Sequence, residues 1–233
     1  MKLKLAALCS VTLLACAAAS APAFAGSMTW NFLSLAGNPP SPGMPIGLTD
    51  SFMQGGMTLS VQSETSAGCG ITMPTCAWSA GTADLYAKNG GSAYEDGLGL
   101  TGDPSGDNEI YYPNGIMVTL PTGTSASSVM IGSIQGTSTS GETWAVYGYD
   151  SSQSTWNLLG NGMGGNTENF NSASLMGYSQ LVVSDPSRTP YTNSNDVVLM
   201  SITTVPEPGT LALFGAGLLG CALFIARRRA RQS

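Results

Sequence analysis

The sequence has no histidine among its 233 residues. Histidine is the commonest general base, the partner of serine and cysteine nucleophiles, and a frequent ligand of transition metals. Its absence argues strongly against hydrolysis by those routes, and no Gly-x-Ser-x-Gly motif occurs. We therefore expect a protein that is not an enzyme. The least favoured alternative is a glycoside hydrolase that uses two carboxylates among Glu95, Asp96, Glu109 and Glu142.

Basic residues are scarce in the middle of the chain. Lys88 and Arg188 are the only two between residues 5 and 226, whereas thirteen of the fourteen acids fall between Asp50 and Asp196. With two basic and thirteen acidic residues, this region carries a net charge of −11. Such a surface repels phosphate backbones, so we expect no binding to nucleic acid. Divalent cations and neutral glycans are compatible with it.

Long charged helices are not expected either, because only 9% of the residues are charged while glycine occurs 30 times. Apolar and β-branched runs between turn residues predict nine short strands. These are Met28–Leu35, Met57–Gln62, Ala83–Ala87, Ile116–Leu120, Ser128–Ile134, Thr143–Tyr149, Thr155–Leu159, Gln180–Ser184 and Val197–Thr203. The pattern predicts an all-β protein with a single antiparallel β-sandwich or jelly-roll-like domain over residues 26–204.

Local sequence also predicts how some strands connect. Residues 143–159 are expected to form a hairpin around the turn residues 151–154. Residues 37–50, which contain four prolines, and residues 160–174, which are rich in Gly and Asn, are expected to be irregular loops.

Residues 1–25 have the pattern of a cleavable signal peptide. Lysines at positions 2 and 4 precede an apolar run over residues 5–19, and small residues allow cleavage between Ala25 and Gly26. The run is shorter than the roughly 20 residues of a membrane-spanning helix. An alternative is that Cys16 ends a lipobox and is acylated.

Three elements follow one another at the carboxyl end. The tripeptide Pro206, Glu207, Pro208 precedes an apolar segment over residues 210–226, and a cluster over residues 227–231 contains Arg227, Arg228 and Arg229. Prolines end a strand because they lack the backbone N–H. As a helix the apolar segment would be about 25 Å long, near the thickness of a hydrocarbon core, with the arginines on the cytoplasmic side. A plain carboxyl-terminal membrane anchor is the alternative.

This order of elements resembles the PEP-CTERM family of exported proteins, and it covers residues 205–231. The resemblance implies that an exosortase, a membrane enzyme, recognises the signal at Pro206, Glu207 and Pro208. It also implies export through the inner membrane, transient membrane attachment, and a final place in the cell envelope, at the cell surface or outside the cell. The family is associated with exopolysaccharide and biofilm, so an exopolysaccharide is an expected partner.

Three cysteines remain once residues 1–25 are removed. Cys221 lies in the predicted membrane segment, so Cys69 and Cys76 are the natural disulfide pair in an oxidising compartment. The competing metal or redox interpretation has no nearby histidine and no Cys-x-x-Cys spacing.

An acidic, Gly-rich segment over residues 95–110 supplies candidate calcium ligands. Asp103, Asp107 and Glu109 offer hard oxygen atoms, although their spacing is not that of an EF-hand. The alternative is a turn in which Asp and Asn side chains bond nearby amides. No cofactor other than calcium is expected.

These observations leave two functions that need no catalysis. The favoured one is a secreted or cell-surface protein of an exopolysaccharide matrix, and the alternative is a calcium-dependent glycan-binding module. Five aromatic residues could line a sugar-binding face, although packing in the core is favoured for them: Trp78, Tyr111, Tyr112, Trp144 and Trp156.

Overall fold

The structure is a computed structural model that describes residues 26–32, 43–66, 69, 75–89, 94–137, 140–186, 196–207, 215, 217–218, 220–221 and 228. It divides into two compact units, one over Met28–Val205 and one formed by the two ends of the chain. The predicted signal peptide, with Ala25, lies outside the described residues and stays a prediction. Gly26 is exposed.

The unit over Met28–Val205 contains two large antiparallel sheets, which form a sandwich-like fold. Along sheet A the order is β16 (Asn166–Phe170), β11 (Thr124–Ile134), β18 (Asp196–Pro206), β8 (Gly97–Leu100), β7 (Leu85–Lys88) and β2 (Pro45–Gly47). Two further strands, β1 (Met28–Asn31) and β9 (Ile110–Tyr111), also pair with β18. The strand nearest the carboxyl end is therefore the central strand of sheet A.

Sheet B has the order β3 (Thr49–Gln54), β4 (Met57–Ser66), β10 (Asn114–Thr119), β17 (Gln180–Ser184), β14 (Thr143–Asp150), β15 (Thr155–Met163) and β5 (Thr75–Cys76). The short β6 (Trp78–Ala80) pairs with β4. A separate ribbon joins β12 (Gly136–Thr137) to β13 (Ser140–Gly141). A 3₁₀ helix covers Ala173–Leu175.

The main hydrophobic core contains side chains from both sheets. Strand β14 shows the alternation, because Trp144 and Val146 pack in this core while Ala145 and Tyr147 belong to a second cluster. Successive side chains of a strand point to opposite faces. Strand β14 is therefore buried on both faces, and the second cluster lies on the face of sheet B that is turned away from the core.

A short segment covers that second face. Residues 75–80, which we call the strap, pair with β15 through β5 and with β4 through β6. The strap therefore joins β4 and β15, which are separated within sheet B by β10, β17 and β14. Trp78 of the strap stacks edge-on against Tyr147, with ring centroids 5.7 Å apart.

The all-β sandwich prediction is confirmed, and all nine predicted strands are present. Strand β17 has the predicted bounds, and β14 and β15 form the predicted hairpin. Its turn is held by Asp150, whose carboxylate accepts hydrogen bonds from the backbone N–H of Ser152 at 2.9 Å and of Gln153 at 3.3 Å.

The two loop predictions are wrong where the structure describes them. Residues 45–47 form β2 and β3 begins at Thr49, while β15 extends to Met163 and β16 covers Asn166–Phe170. The glycines of the second segment serve close packing. A Cβ at Gly162 would lie 2.7 Å from the indole of Trp144, which itself packs 5.6 Å from Phe170.

Several strands escaped the sequence analysis because they are short or rich in glycine. Strand β8 has the sequence Gly-Leu-Gly-Leu, and a Cβ at Gly97 would lie 2.7 Å from the carbonyl oxygen of Leu199. Glycine is thus required there by the close approach of a neighbouring strand. Such a contact is invisible to a pattern of apolar residues.

Candidate functional site

The predicted sorting signal begins at the end of the central strand. Strand β18 runs to Pro206, and Glu207 follows it directly. Pro208, Arg227 and Arg229 lie outside the described residues, and Arg228 is exposed. Few residues therefore separate the sandwich from the signal in the sequence.

The predicted membrane helix over residues 210–226 falls mostly outside the described part of the chain. Those of its residues that are described, at positions 215, 217, 218, 220 and 221, are helical. No helix within the described ranges is long and apolar enough to span a membrane. The predicted span stays a prediction.

The candidate calcium segment contributes to a buried group of charges, which we call the Lys88 cluster. Lys88 is the last residue of β7 and pairs in register with Gly97 of β8. Its ammonium forms an ion pair with Glu109, and the two residues are only 8% and 2% exposed. A buried charge of this kind is stable only when it is paired.

Two residues with positive φ position the carboxyl group of Glu109. The preceding residue, Asn108, has a φ of 58°, and Ser133 has a φ of 57° next to the register shift in β11. Ser133 donates a hydrogen bond of 2.7 Å to Oε1 of Glu109. Residues other than glycine adopt such φ values at a cost of about 1 to 3 kcal/mol, which the surrounding contacts must offset.

Asp103 and Asp196 form the second part of the cluster, although they are 93 positions apart. Their carboxyl groups are hydrogen bonded to each other. Ser105 bridges them, since its hydroxyl contacts Asp103 and lies 3.0 Å from Oδ2 of Asp196. Burial, together with the hydrogen bond and the charge of Asp103, raises the pKa of Asp196 to about 7. The carboxyl group of Asp196 is therefore protonated in a large share of the molecules near neutral pH.

Glu142, the residue just before β14, is the third part of the Lys88 cluster. Its Oε2 accepts a hydrogen bond of 2.5 Å from the backbone N–H of Gln135. Burial raises the pKa of Glu142 to about 8, and the charges of Asp196 and Asp185 act in the same direction while Lys88 acts against them. This carboxyl group is thus protonated over much of the neutral range.

The three predicted calcium ligands are distributed over this cluster. Asp103 is bonded to Ser105 and Asp196, Glu109 is paired with Lys88, and the charge of Asp107 acts on Lys88. Within the described part of the chain, no three acidic or cysteine side chains are arranged to hold a metal ion. The calcium prediction gains no support from this arrangement and stays a prediction.

The turn alternative for the same segment fits particular contacts. Oδ1 of Asp103 accepts a hydrogen bond of 3.0 Å from the backbone N–H of Ser105, and the Ser105 hydroxyl in turn accepts one of 3.2 Å from the N–H of Asp107. Asp side chains commonly close turns in this way. The segment is therefore ordered by its own side chains together with Lys88.

The candidate catalytic carboxylates differ in burial. Glu109 and Glu142 are buried and engaged as described above, whereas Glu95 and Asp96 are half-buried. One oxygen of Asp96 is buried without a hydrogen-bond partner among the described residues. A glycosidase needs both carboxyl groups beside the sugar.

The disulfide between Cys69 and Cys76 is present and anchors the strap. The two Cα atoms lie 5.2 Å apart, and Cys76 pairs in register with Trp156 of β15. Tyr149 packs on the same tryptophan with ring centroids 5.1 Å apart. The disulfide thus ties the strap to Cys69, three residues after the end of β4, while pairing with β15 holds the same end of the strap at the edge of sheet B.

None of the five candidate sugar-binding aromatic residues is exposed. Trp144 and Trp156 are buried, and Trp78, Tyr111 and Tyr112 are half-buried. The side chain of Trp78, which belongs to the strap, packs against sheet B, and a Cβ at Gly115 would lie 3.0 Å from its ring. These aromatic residues pack against the fold rather than forming a flat surface open to a glycan.

Sequence analysis missed Lys88, Ser133 and Asp196 as members of the cluster. Lys88 carried a usable signal, because it is one of only two basic residues in a region with thirteen acids and it ends an apolar strand. Ser133 and Asp196 carried none, since only the pairing of β18 with β9 brings Asp196 opposite Tyr111.

Comparison with known proteins identifies the carboxyl end of the chain. No curated protein and no solved structure matches the chain. Residues 204–229 match a family model described as the PEP-CTERM protein-sorting motif. The matched region starts inside β18 and includes all three elements predicted from the sequence. The chain therefore carries a PEP-CTERM protein-sorting motif, which implies processing by an exosortase and export across the inner membrane to the cell envelope or surface.

Proposed function

We propose that this is a non-catalytic protein of the cell surface or extracellular matrix that associates with exopolysaccharide in a biofilm. The observation that carries the proposal is the sorting motif at residues 204–229, which directly continues the central strand β18. The motif accounts for an exported, exosortase-sorted protein. The association with exopolysaccharide is the further step.

Two features support a role without catalysis. The chain has no histidine, and the most buried candidate carboxylates are occupied by other contacts. Glu109 is paired with Lys88, and Glu142 is 3% exposed and bonded to Gln135. A general acid or nucleophile must reach the substrate, which a carboxyl group enclosed in the fold cannot do.

The charge of the sandwich indicates which polysaccharide it would accept. Residues 26–205 contain two basic and thirteen acidic residues. Polyanionic polymers would be repelled by this excess of negative charge. We therefore propose a neutral polysaccharide as the partner, contacted by the many Ser, Thr and Asn side chains.

Sorting is tested by the intact mass of the mature protein from its native host. We expect a product that begins at Gly26 and lacks the apolar tail. A Pro206→Ala, Glu207→Ala, Pro208→Ala variant should keep the tail and stay in the membrane. The matched control is Ser151→Ala, Ser152→Ala, Gln153→Ala in the exposed turn after β14, which should be processed normally. If the native protein keeps Arg231, the segment is a plain membrane anchor.

The association of the protein with exopolysaccharide is tested separately in the same host. We would compare the share of mature protein retained in the matrix fraction between the parent strain and a strain that makes no exopolysaccharide. Retention should drop in the second strain while the processed mass stays the same. Equal retention in both strains would contradict the association and leave the sorting conclusion intact.

Calcium-dependent glycan binding remains the alternative. It would require an accessible surface, and the five candidate aromatic side chains are buried or half-buried. A glycan array probed with the mature protein, with calcium and with a chelator, decides between the two. Binding that the chelator abolishes would favour the alternative over the matrix role.

A further inference from the structure

Strand β1, the first strand of the sandwich, pairs with the end of the central strand β18. In register, Met28 lies opposite Thr204 and Asn31 opposite Ser201. The match to the PEP-CTERM sorting motif begins at residue 204, and β18 runs on to Pro206. The first residues of the sorting motif are therefore part of the folded sheet.

Thr204 is held by side-chain contacts as well as by strand pairing. It is 1% exposed, and its hydroxyl accepts a hydrogen bond of 3.3 Å from the indole N–H of Trp30. The same hydroxyl donates one of 3.4 Å to the carbonyl oxygen of Met28. Trp30 is fully buried in the main core, so its ring anchors β1 beside β18. The start of the motif is thus tied to β1 and, through β1, to the core.

This pairing restricts access to the tripeptide that follows. Val205 alone stands between Thr204 and Pro206 in the sequence. Extended peptides are commonly bound through their backbone groups and alternate side chains, and proteolysis of a folded protein often proceeds from a locally opened state. Backbone groups that are paired with β1 are not free for such binding. An enzyme that draws in the chain on the amino-terminal side of Pro206 must therefore first separate β18 from β1.

We propose that β1 is a latch on the sorting motif, and that the exosortase cuts the chain only after β1 has separated from the end of β18. The end of a strand opens at a lower free energy than the whole domain, so this step needs no global unfolding. The folded domain then keeps its apolar tail until the latch opens, and the strength of the β1–β18 pairing sets the rate of cutting. The inference rests on sorting by an exosortase, which the motif implies.

A disulfide across the latch tests the proposal. The hydroxyl groups of Thr29 and Thr203 lie 3.0 Å apart across the two strands, and neither residue belongs to the matched motif. Thr29→Cys with Thr203→Cys should therefore form a disulfide in an oxidising compartment. The matched control is Ser51→Cys with Ser60→Cys, which replaces a hydroxyl pair 3.2 Å apart between β3 and β4 of sheet B.

The measurement is the share of newly made protein that keeps the apolar tail over time in the native host, read from the intact mass. The latch disulfide should stop the loss of the tail, and a reductant should restore it. The control disulfide and each single cysteine variant should lose the tail at the native rate, with and without the reductant.

A second variant acts in the opposite direction and needs no disulfide. Trp30→Phe removes the indole N–H that bonds Thr204, so it should weaken the latch and speed the loss of the tail. Trp144→Phe is the control, because it removes the same atoms from the main core on a strand of sheet B. It should lower the unfolding midpoint while the tail is lost at the native rate.

Two results would overturn the latch. One is a chain that carries the latch disulfide and still loses its tail at the native rate. The other is a Trp30→Phe variant that loses its tail no faster than Trp144→Phe, and this comparison decides alone if the disulfide does not form. Failure of the sorting conclusion looks different, because the native protein would then also keep its tail, and the latch would fall with it.

Discussion

Two groups of residues join segments that are far apart in the sequence, but they do so by different forces. One is the Lys88 cluster. The other, which we call the strap cluster, is the second hydrophobic cluster of Cys69, Ala145, Tyr147, Trp156 and Val182 together with the strap residues that pack on it. The Lys88 cluster relies on one ammonium, several carboxyl groups and two residues with positive φ. The strap cluster relies on a disulfide, stacked aromatic rings and apolar contacts on one face of sheet B. The first is stabilised by specific pairing, the second by packing and a covalent link.

The difference predicts how each region tolerates change. Removing one member of a buried ion pair leaves an unpaired charge, which costs more than the pair itself contributes. A packed aromatic cluster instead loses contacts in proportion to the atoms removed. The Lys88 cluster should therefore be sensitive to single substitutions and to pH, and the strap cluster to reduction.

The largest effect is expected for Lys88→Met. It should lower the free energy of unfolding by about 3 to 5 kcal/mol, because Glu109 is left buried without its partner. The double variant Lys88→Met, Glu109→Gln removes both charges and should recover much of that loss. Urea unfolding of the three proteins checks this, and equal losses in the single and double variants would contradict it.

The pH dependence compares a carboxyl group of the Lys88 cluster with one on β4, outside both clusters. Burial raises the pKa of Glu142 in the Lys88 cluster to about 8 and that of Glu64, on the outer face of β4, to about 7. The folded state therefore keeps protons that the unfolded chain releases above its pKa of 4.5. Stability should fall between about pH 5 and 7 by about 1.4 kcal/mol per pH unit for each group.

Two substitutions test whether these two carboxyl groups cause the fall of stability with pH. Glu142→Gln and Glu64→Gln should each make the stability less dependent on pH, as measured by urea unfolding at several pH values. The control Asp150→Asn should not have this effect, because the hydrogen bonds from Ser152 lower the pKa of Asp150 instead of raising it. If neither substitution changes the pH dependence between pH 5 and 7, the two carboxyl groups are ionised in the folded state as well as in the unfolded chain.

Loss of the disulfide should have the next largest effect. Cys69→Ser with Cys76→Ser should lower the free energy of unfolding by about 2 to 3 kcal/mol, since a loop of this length loses that much constraint on the unfolded chain. A reductant should destabilise the native protein by a similar amount. The reductant should have no effect on the double variant, and an effect there would point to a different thiol.

The smallest effect is expected at the hydroxyl of Tyr147. This hydroxyl is buried beneath the strap without a hydrogen-bond partner among the described residues, and burial raises its pKa to about 12. Removing a buried polar group that makes no hydrogen bond is close to neutral or stabilising. Tyr147→Phe should change the unfolding free energy by less than about 1 kcal/mol.

Tyr149→Phe provides the control on the same strand, because that side chain is half-buried and reaches solvent. Its unfolding midpoint should also stay near that of the native protein. A clear loss for Tyr147→Phe alone would mean that the hydroxyl has a bound partner, such as an ordered water molecule.

Much of the fold followed from the order of residues. Apolar and β-branched runs such as Gln180–Ser184 predicted strands, because such residues between turn residues favour a buried extended chain. The strands that were missed include β8 and β16, where glycine or polar residues pair through their backbones with a neighbour distant in sequence. Backbone pairing does not depend on side-chain pattern, so no local signal announces it.

The sequence by itself determined the sorting motif and the cysteine pair, since both are sets of residues close together in the chain whose chemistry depends on local order. Tertiary structure alone decided that Lys88 meets Glu109, that Asp103 meets Asp196, and that the strap covers Tyr147. The physical reason is that sheet pairing brings distant segments together, and burial then gives ordinary charged and polar side chains strong interactions.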